Sequence, residues 1–541
     1  MNRQIRQLAF VLMALYVTLF VALNYWQVEH TEELASEAGN TRARIREFNH
    51  PRGQILSADG VVLACSREIA GAPFVDECRQ ECSDVPLPSP DQAAGTDVEF
   101  QRLYPTCDLF AQVVGYSTFG LGSTQIERTR NDVLVGNTLT QQVGALDDLF
   151  DPNLDVSGSV RLTLREDMQR TAKFVLGPRE GAVVMLEVAT GAVTAMWSYP
   201  SFDPNLVAQP DYNGAYDYLT ALQNDPGDPL LANSYQQRYM PGSTFKVLTT
   251  GAGFDAGVLT LDRVFENLRE WEPPQTNDPI QNYDNSVCGG DMTEVFARSC
   301  NIPFAQTAIE LGPQRFQEMM ARWGIGERIP IDLPGAAAAT IGDFTNIADN
   351  LPLLAMRGFG QNEDQMVPIH MAMVAATVAN NGDMMAPYVV DTELDHDGNV
   401  LARTEPEVWK RPISRQTAGI LQGLMVQVAE RGTASCCIAL EGGIPVAAKT
   451  GTAQLNGPGE PERSHAWIVA YAPADAPRYA VAVMIEGTSE DISASTGGRL
   501  AGPVAKAMLD AVLAADAAEA AAAATVPPAS VPPAPSGTAA P

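Results

Sequence analysis

Tyr239-Met240-Pro241-Gly242-Ser243-Thr244-Phe245-Lys246 is the stretch on which the reading of this chain turns. Pro241 and Gly242 are turn residues set directly before Thr244 to Thr250, a run with helical potential, so Ser243 is expected as the first residue of a helix. Lys246 follows three positions later. Residues i and i+3 share one face of a helix, which brings the lysine amine within reach of the serine hydroxyl. A serine is a weak nucleophile at neutral pH, and a neighbouring amine held neutral can take its proton. A residue that opens a helix also carries a backbone N–H with no intrahelical partner, at the end where negative charge is favoured. The N–H of Ser243 is therefore a natural half of an oxyanion hole.

An S-x-x-K pattern alone means little, because short motifs recur by chance. The rest of the chain gives it weight. The only lysines are Lys173, Lys246, Lys410, Lys449 and Lys506, and a second one opens Lys449-Thr450-Gly451-Thr452. Ser299-Cys300-Asn301, between them, is the one S-x-N in the chain. Taken singly, each has a plain structural explanation. Ser299 can cap the helix that follows, Asn301 can be a turn residue, and Lys449-Thr450-Gly451 can be a strand end.

Together they supply a complete acyl-transfer set. A lysine of ordinary pKa near 10 is protonated at pH 7 and cannot act as a base. Partial burial and a second nearby cation lower it, and Lys449 can be that cation for Lys246. Ser299 and Asn301 have the groups to hydrogen-bond the Lys246 amine and a substrate, and Ser299 can pass a proton to a leaving amine. The hydroxyls of Thr450 and Thr452 suit a terminal carboxylate. Gly451 lets a substrate backbone lie along that strand, and the N–H of Thr452 is the expected second oxyanion donor. No metal or cofactor is needed. Competing sites are absent from the sequence: there is no G-x-S-x-G elbow, and His30, His50, His370, His396 and His465 are scattered without metal spacing. His465, at the start of a strand beside K-T-G, reads as structural.

The chain has 541 residues, enough for two to four domains. Its net charge of −30 argues against nucleic acid as a partner. Leu8 to Trp26 is a charge-free apolar run long enough to span a bilayer. Arg3 and Arg6 precede it and Glu29, Glu32 and Glu33 follow, which places the N-terminus in the cytoplasm and the remainder outside. The alternative is a cleaved signal peptide; the length of the run and the lack of an A-x-A-like site favour an uncleaved anchor. Eight cysteines fit an oxidising exterior. Spacing does not settle their pairing; Cys288 with Cys300, which bracket the approach to S-x-N, is the preferred bridge. Adjacent Cys436 and Cys437 have no evident catalytic use.

Five segments are expected: residues 1–7 in the cytoplasm, an anchor over 8–27, an N-terminal module over 28–170, a catalytic domain over 171–515, and an unstructured Ala/Pro tail over 516–541. Ile55 to Ala64 reads as a hairpin about Asp59-Gly60. Ala182–Glu187 and Ala192–Ser198 read as a hairpin opening the catalytic domain. Ser201 to Asn233 reads as loop. Pro445–Ala448 and Ala466–Tyr471 read as strands flanking a K-T-G turn, and Tyr479–Glu486 as a third strand. Helices are expected over 166–176, 303–311, 314–323 and 368–380, with a last one following Gly497-Gly498.

The order S-x-x-K, S-x-N, K-T-G resembles that of the penicillin-binding and serine β-lactamase superfamily. Pro51-Arg52-Gly53, Arg102-Leu103-Tyr104-Pro105, Val113-Val114-Gly115-Tyr116 and Gly122 to Glu127 resemble the N-terminal module of class B penicillin-binding proteins of the penicillin-binding protein A type. This resemblance implies an α/β (α+β) transpeptidase fold, an antiparallel sheet flanked by helices above a β-rich pedestal. It implies D,D-transpeptidation of peptidoglycan stem peptides through an acyl-serine, with β-lactams as covalent inhibitors. Catalysis would fall to Ser243, Lys246, Ser299, Asn301 and Lys449, and substrate binding to Thr450, Gly451 and Thr452. The anchor could also recruit other cell-wall synthesis membrane proteins. No glycosyltransferase pattern is present. The rivals are a serine β-lactamase, against which the lack of an E-x-x-L-N pattern counts, and a non-catalytic β-lactam sensor or wall-peptide scaffold.

Overall fold

The two apolar runs on either side of Ala189-Thr190-Gly191 form antiparallel strands, Gly181–Glu187 and Val193–Tyr199. They are one edge of a five-stranded antiparallel sheet that continues through Tyr479–Ile485 and Ser464–Ala472 to Ala447–Gln454 at the other edge. Helices cover both faces. Gly497–Thr525 and Glu166–Leu176 pack on one, Pro368–Ala379 and Arg415–Glu430 on the other. With both faces dry, the inner strands are apolar without alternation, and every residue of Ser464–Ala472 and Tyr479–Ile485 is buried. Pro368–Ala379 is apolar but for His370 and Thr377 and is buried along its whole length, as a helix at the centre of a core must be. The computed structural model describes residues 48–68, 99–144, 156–455, 463–493 and 495–525, with residues 3, 7, 10 and 12–19 near the N-terminus.

The N-terminal module is built on a second sheet. The hairpin about Asp59-Gly60 forms as expected, Ile55–Leu56 against Val62–Glu68, and Ser159–Leu162 runs parallel to the first of these strands. The sheet's other edge comes from far along the chain: Val390–Leu394 pairs onto Ser159–Leu162, and Val400–Arg403, which follows the Asp395-His396-Asp397-Gly398 turn, pairs onto Val390–Leu394 as the outermost strand. A buried carboxylate locks the module. Glu127 accepts from Arg52 Nε at 2.6 Å and Arg102 Nε at 2.6 Å, and these paired charges hold its carboxyl below the usual range against the opposing effect of burial. The Pro-Arg-Gly and Arg-Leu-Tyr-Pro stretches thus meet at one residue.

Four expectations are corrected. Helix Glu166–Leu176 runs unbroken across the boundary placed between residues 170 and 171, and it packs on the catalytic sheet. Ser201 to Asn233 is not only loop: Pro204–Val207 and Tyr212–Gln223 are helices, N-capped by Asp203 and Asp211, whose carboxylates accept from Asn205 N and Asn213 N. The K-T-G residues lie inside a strand, not at a turn. The last helix continues to Thr525, past the expected start of the unstructured tail. Asp516 is held there by Arg478 at 2.6 Å, Arg165 at 3.5 Å and the Tyr479 hydroxyl at 3.1 Å, and the following alanines are strong helix formers. The anchor over residues 8–27 and the cysteines Cys78 and Cys82 fall mostly outside the described residues. Residues 12–19 are helical, and among the described residues no helix is long and apolar enough to cross a membrane.

Candidate active site

The nucleophile stretch is a 3₁₀ turn, Gly242–Phe245, that leads into the α-helix Lys246–Asp255. Positions i and i+3 eclipse in a 3₁₀ turn, so Ser243 and Lys246 still share a face. Ser243 sits in the first turn, where N–H groups lack intrahelical partners. The turn is pressed against the edge strand Ala447–Gln454. A Cβ on Gly451 would lie 2.7 Å from Pro241 O, so only glycine permits this approach. Gly242 has φ +53 and its Cα lies close to the Thr452 carbonyl, where a Cβ would come to 2.5 Å. These two glycines bring the Thr452 backbone alongside the nucleophile turn. Trp467 Nε1 donates to Met240 O at 3.0 Å and ties the turn to the neighbouring strand.

S-x-N arrives by a different route. Cys288–Asp291 is a strand, Asp291 caps the helix Met292–Ala297 by accepting from Glu294 N at 2.8 Å, and the helix ends just before Ser299. Ser299 has φ +59, a left-handed conformation uncommon outside glycine and asparagine. It is held there by Ser299 N–H to Phe296 O at 3.2 Å and Cys300 N–H to Val295 O at 3.0 Å. The Cys288 and Cys300 sulfurs form a disulfide, with Cα atoms 5.6 Å apart and both residues buried. Cys436 and Cys437 are bridged to each other.

The three motifs converge on Ser299. Lys449 Nζ donates to Ser299 Oγ at 2.8 Å, and Lys246 Nζ lies 3.3 Å from the same oxygen. Lys246 Nζ also donates to Ser299 O at 2.7 Å and Asn301 Oδ1 at 2.8 Å. Asn301 Nδ2 donates to Gln281 O at 3.0 Å, which fixes the amide orientation and leaves Oδ1 for the lysine. Among the described contacts, Ser243 Oγ is not bonded to Lys246; all three bonds of the amine run to S-x-N. Both lysines are fully buried, ringed by Phe304 and Phe359 around Lys246 and Phe296 beside Lys449. Burial pushes the Lys449 amine down to about 7. It pushes Lys246 well below its ordinary value, with the Lys449 charge as the second cause. A neutral Lys246 has two N–H groups, which its two pure acceptors take, the Ser299 carbonyl and Asn301 Oδ1. Its lone pair is then left for a hydroxyl proton.

Sequence reasoning did not reach several residues that shape the site. Asn282 Oδ1 accepts from Asn301 N at 2.8 Å, and the three phenylalanines desolvate the lysines. Thr433 hydrogen-bonds Thr450 side chain to side chain. None forms a local pattern, and only folding brings them to the motifs. His465, as expected, is structural: its Nδ1 accepts from Gly487 N at 3.3 Å and burial lowers its pKa to about 4.

Sheet, nucleophile turn and paired lysines together are the arrangement that serine acyl transfer requires. Residues 181–510 match the penicillin binding protein transpeptidase domain, and residues 84–160 match the penicillin binding protein A dimerisation domain. The chain belongs to the penicillin-binding protein transpeptidase family. Among its relatives is the peptidoglycan D,D-transpeptidase PbpA of Mycolicibacterium smegmatis, 33% identical over 95% of this chain and 99% of the relative. PbpA of Mycobacterium tuberculosis is 31% identical over 95% of this chain and 99% of its own length. The ceftriaxone acyl-enzyme structure of M. tuberculosis penicillin-binding protein A superposes with a TM-score of 0.75 at 29% identity, covering 87% of this chain and all of that one. The penicillin G acyl-enzyme superposes at 0.73 and 30% identity, covering 86% of this chain and 100% of that one.

Two outcomes are expected from this geometry. The unfolded chain protonates Lys449 near its ordinary 10.5, the folded protein only near 7. Between these values the unfolded state binds more protons, so this lysine's contribution to stability falls as pH is lowered across the window and levels off below it. Thermal unfolding of Lys449→Met should therefore show the variant gaining on the wild type as pH falls from about 10 to about 7; a gap that does not move with pH would contradict the burial effect. Replacing Cys288 and Cys300 together by serine should cost about 2–4 kcal/mol of stability. It should also slow penicillin acylation on the order of tenfold, since a catalytic group displaced by about 1 Å costs on the order of a hundredfold. An unchanged acylation rate would remove the bridge's positional role.

Proposed function

We propose that this protein is a peptidoglycan D,D-transpeptidase that works through an acyl-Ser243 intermediate and is covalently blocked by β-lactams. The observation that carries this reading is the meeting of two buried lysines, one from S-x-x-K and one from K-T-G, at the single hydroxyl of Ser299.

Ser243 Oγ attacks the penultimate carbonyl carbon of a D-Ala-D-Ala stem as its proton passes to neutral Lys246. Ser299 Oγ, between the two amines, is placed to pass a proton on to the departing D-alanine nitrogen as the peptide C–N bond breaks. The N–H groups of Ser243 and Thr452 receive the tetrahedral oxyanion, each such donor contributing roughly 100–1000-fold in rate. An amine of a neighbouring strand then attacks the ester carbonyl, the new amide C–N bond forms as the bond to Ser243 Oγ breaks, and the amine's proton passes by way of Lys246 to Ser243 Oγ. Ala447–Gln454 is an edge strand, so a stem peptide can add to it as a further strand. A β-lactam follows the same first step, but its leaving nitrogen stays tethered, and the acyl-enzyme persists. The mycobacterial acyl-enzyme structures superposed above support this course for the relative they depict.

The apolar run behind Arg3 and Arg6 supports a single-pass membrane anchor with the catalytic domain outside the cell, and the Cys288–Cys300 bridge suits that compartment.

Labelling with a fluorescent penicillin tests the reaction. The wild type is expected to hold a stable label and Ser243→Ala none, with its melting temperature retained. Rapid loss of label would mean a β-lactamase, and a labelled Ser243→Ala would overturn the nucleophile. Cell fractionation tests the anchor: the full chain should sediment with membranes, and deletion of residues 1–28 should release an active soluble enzyme. A soluble native protein beginning near Asn24 would instead mean signal cleavage.

A further inference from the structure

The two threonines of the edge strand are held in matching ways. Thr452 Oγ1 accepts a hydrogen bond from Gly497 N–H at 3.3 Å, at the start of the last helix. A hydroxyl has one hydrogen to give, so with its oxygen engaged by a backbone donor, Thr452 keeps that hydrogen. Thr450 is buried to 6% exposure, and its Oγ1 is hydrogen-bonded to Thr433 Oγ1. Thr433 belongs to none of the three motifs and is exposed at the rim. Its backbone N–H donates to Ala297 O at 3.2 Å, in the helix that leads to Ser299. One residue therefore joins the S-x-N approach through its backbone to the K-T-G strand through its side chain.

Resting on the transpeptidase reading above, we propose that Thr433 is a positioning residue that makes Thr450 a donor to the substrate's terminal carboxylate. A carboxylate only accepts hydrogen bonds. Thr450 can serve it only if its own O–H points outward, and this requires Thr433 to donate to Thr450 Oγ1. Thr433 then does for Thr450 what Gly497 N–H does for Thr452, and the strand presents two oriented donors to one anion. Hydroxyls in series polarise one another, which favours a charged acceptor over a neutral one.

The loop is built to hold Thr433 in place. Arg431 is bonded to Glu294 at 2.9 Å and Ala434 N–H donates to Val428 O at 3.2 Å. Gly432 passes so close to Ala297 O that a Cβ would not fit. On the far side, the Cys436–Cys437 bridge stiffens the chain, with Cys437 packed beside Gly502 of the last helix. Cys437 N–H donates to Ala434 O at 2.9 Å, directly after Thr433, and through this contact the adjacent cysteines would brace Thr433.

The test compares acylation by penicillin G with acylation by its methyl ester, which lacks the carboxylate, in wild type, Thr433→Val, Thr433→Ser and Cys436→Ala/Cys437→Ala. Thr433→Val should lose roughly tenfold in second-order acylation with the acid, the scale of one hydrogen bond to a charged group. Its ester rate should change little, and Thr433→Ser should restore the acid preference. The double alanine variant should lose part of the same preference. Equal losses with acid and ester would mean a purely structural Thr433. An unchanged acid-to-ester ratio in Thr433→Val would overturn the proposal. A wild type that neither compound acylates would instead refute the transpeptidase reading on which it rests.

Discussion

Two lysine amines buried together in a nearly dry site are the constraint on which the rest of this structure depends. Each charged amine would be costly to bury without partners, and two side by side repel. The site answers this by pushing the Lys246 amine well below its ordinary range through burial and the Lys449 charge, and by giving both amines the same hydroxyl, Ser299 Oγ. Surrounding features serve that end. Phe296, Phe304 and Phe359 keep water away, and Gln281 and Asn282 orient Asn301. Backbone bonds from Ser299 N–H to Phe296 O and from Cys300 N–H to Val295 O hold Ser299 in a left-handed conformation that a non-glycine residue seldom adopts, and the disulfide ties Cys300 to Cys288 beside it.

The sheet is the instrument that makes this meeting possible. Lys449 and Lys246 come from elements far apart in the chain, and the edge strand reaches the nucleophile turn only because Gly451 and Gly242 have no Cβ to hold them apart. The same contact sets the Thr452 backbone beside Ser243. One close approach thus serves both the lysine pair and the two N–H groups proposed to receive the oxyanion, so a change that widened it would disturb both together.

The N-terminal module is less separate than its position in the chain suggests. Its sheet is completed by Val390–Leu394 and Val400–Arg403, from within the catalytic portion. Arg130 reaches across to Glu393 at 2.9 Å, and the Asp332 carboxylate accepts from Val389 N and Val390 N at 2.8 and 2.9 Å. Pedestal and catalytic domain are therefore joined by a shared sheet as well as by the peptide that links them.

Sequence alone determined what depends on local chemistry. Ser243 and Lys246 are three apart beside a Pro-Gly turn. The hairpins about Asp59-Gly60 and Ala189-Thr190-Gly191 follow from turn residues between apolar runs, and the helix expected over 166–176 forms with those bounds. What the sequence left open or misplaced depends on partners distant in the chain. K-T-G reads locally as a turn because Gly451 is a turn-former; pairing with Ser464–Ala472 makes it strand. Asp516 reads as the start of a low-complexity tail, and its contacts with Arg165, Arg478 and Tyr479 keep it in a helix. Thr433 carries no signal at all in the sequence, because its importance lies in a hydroxyl contact to a strand that only tertiary packing brings within reach.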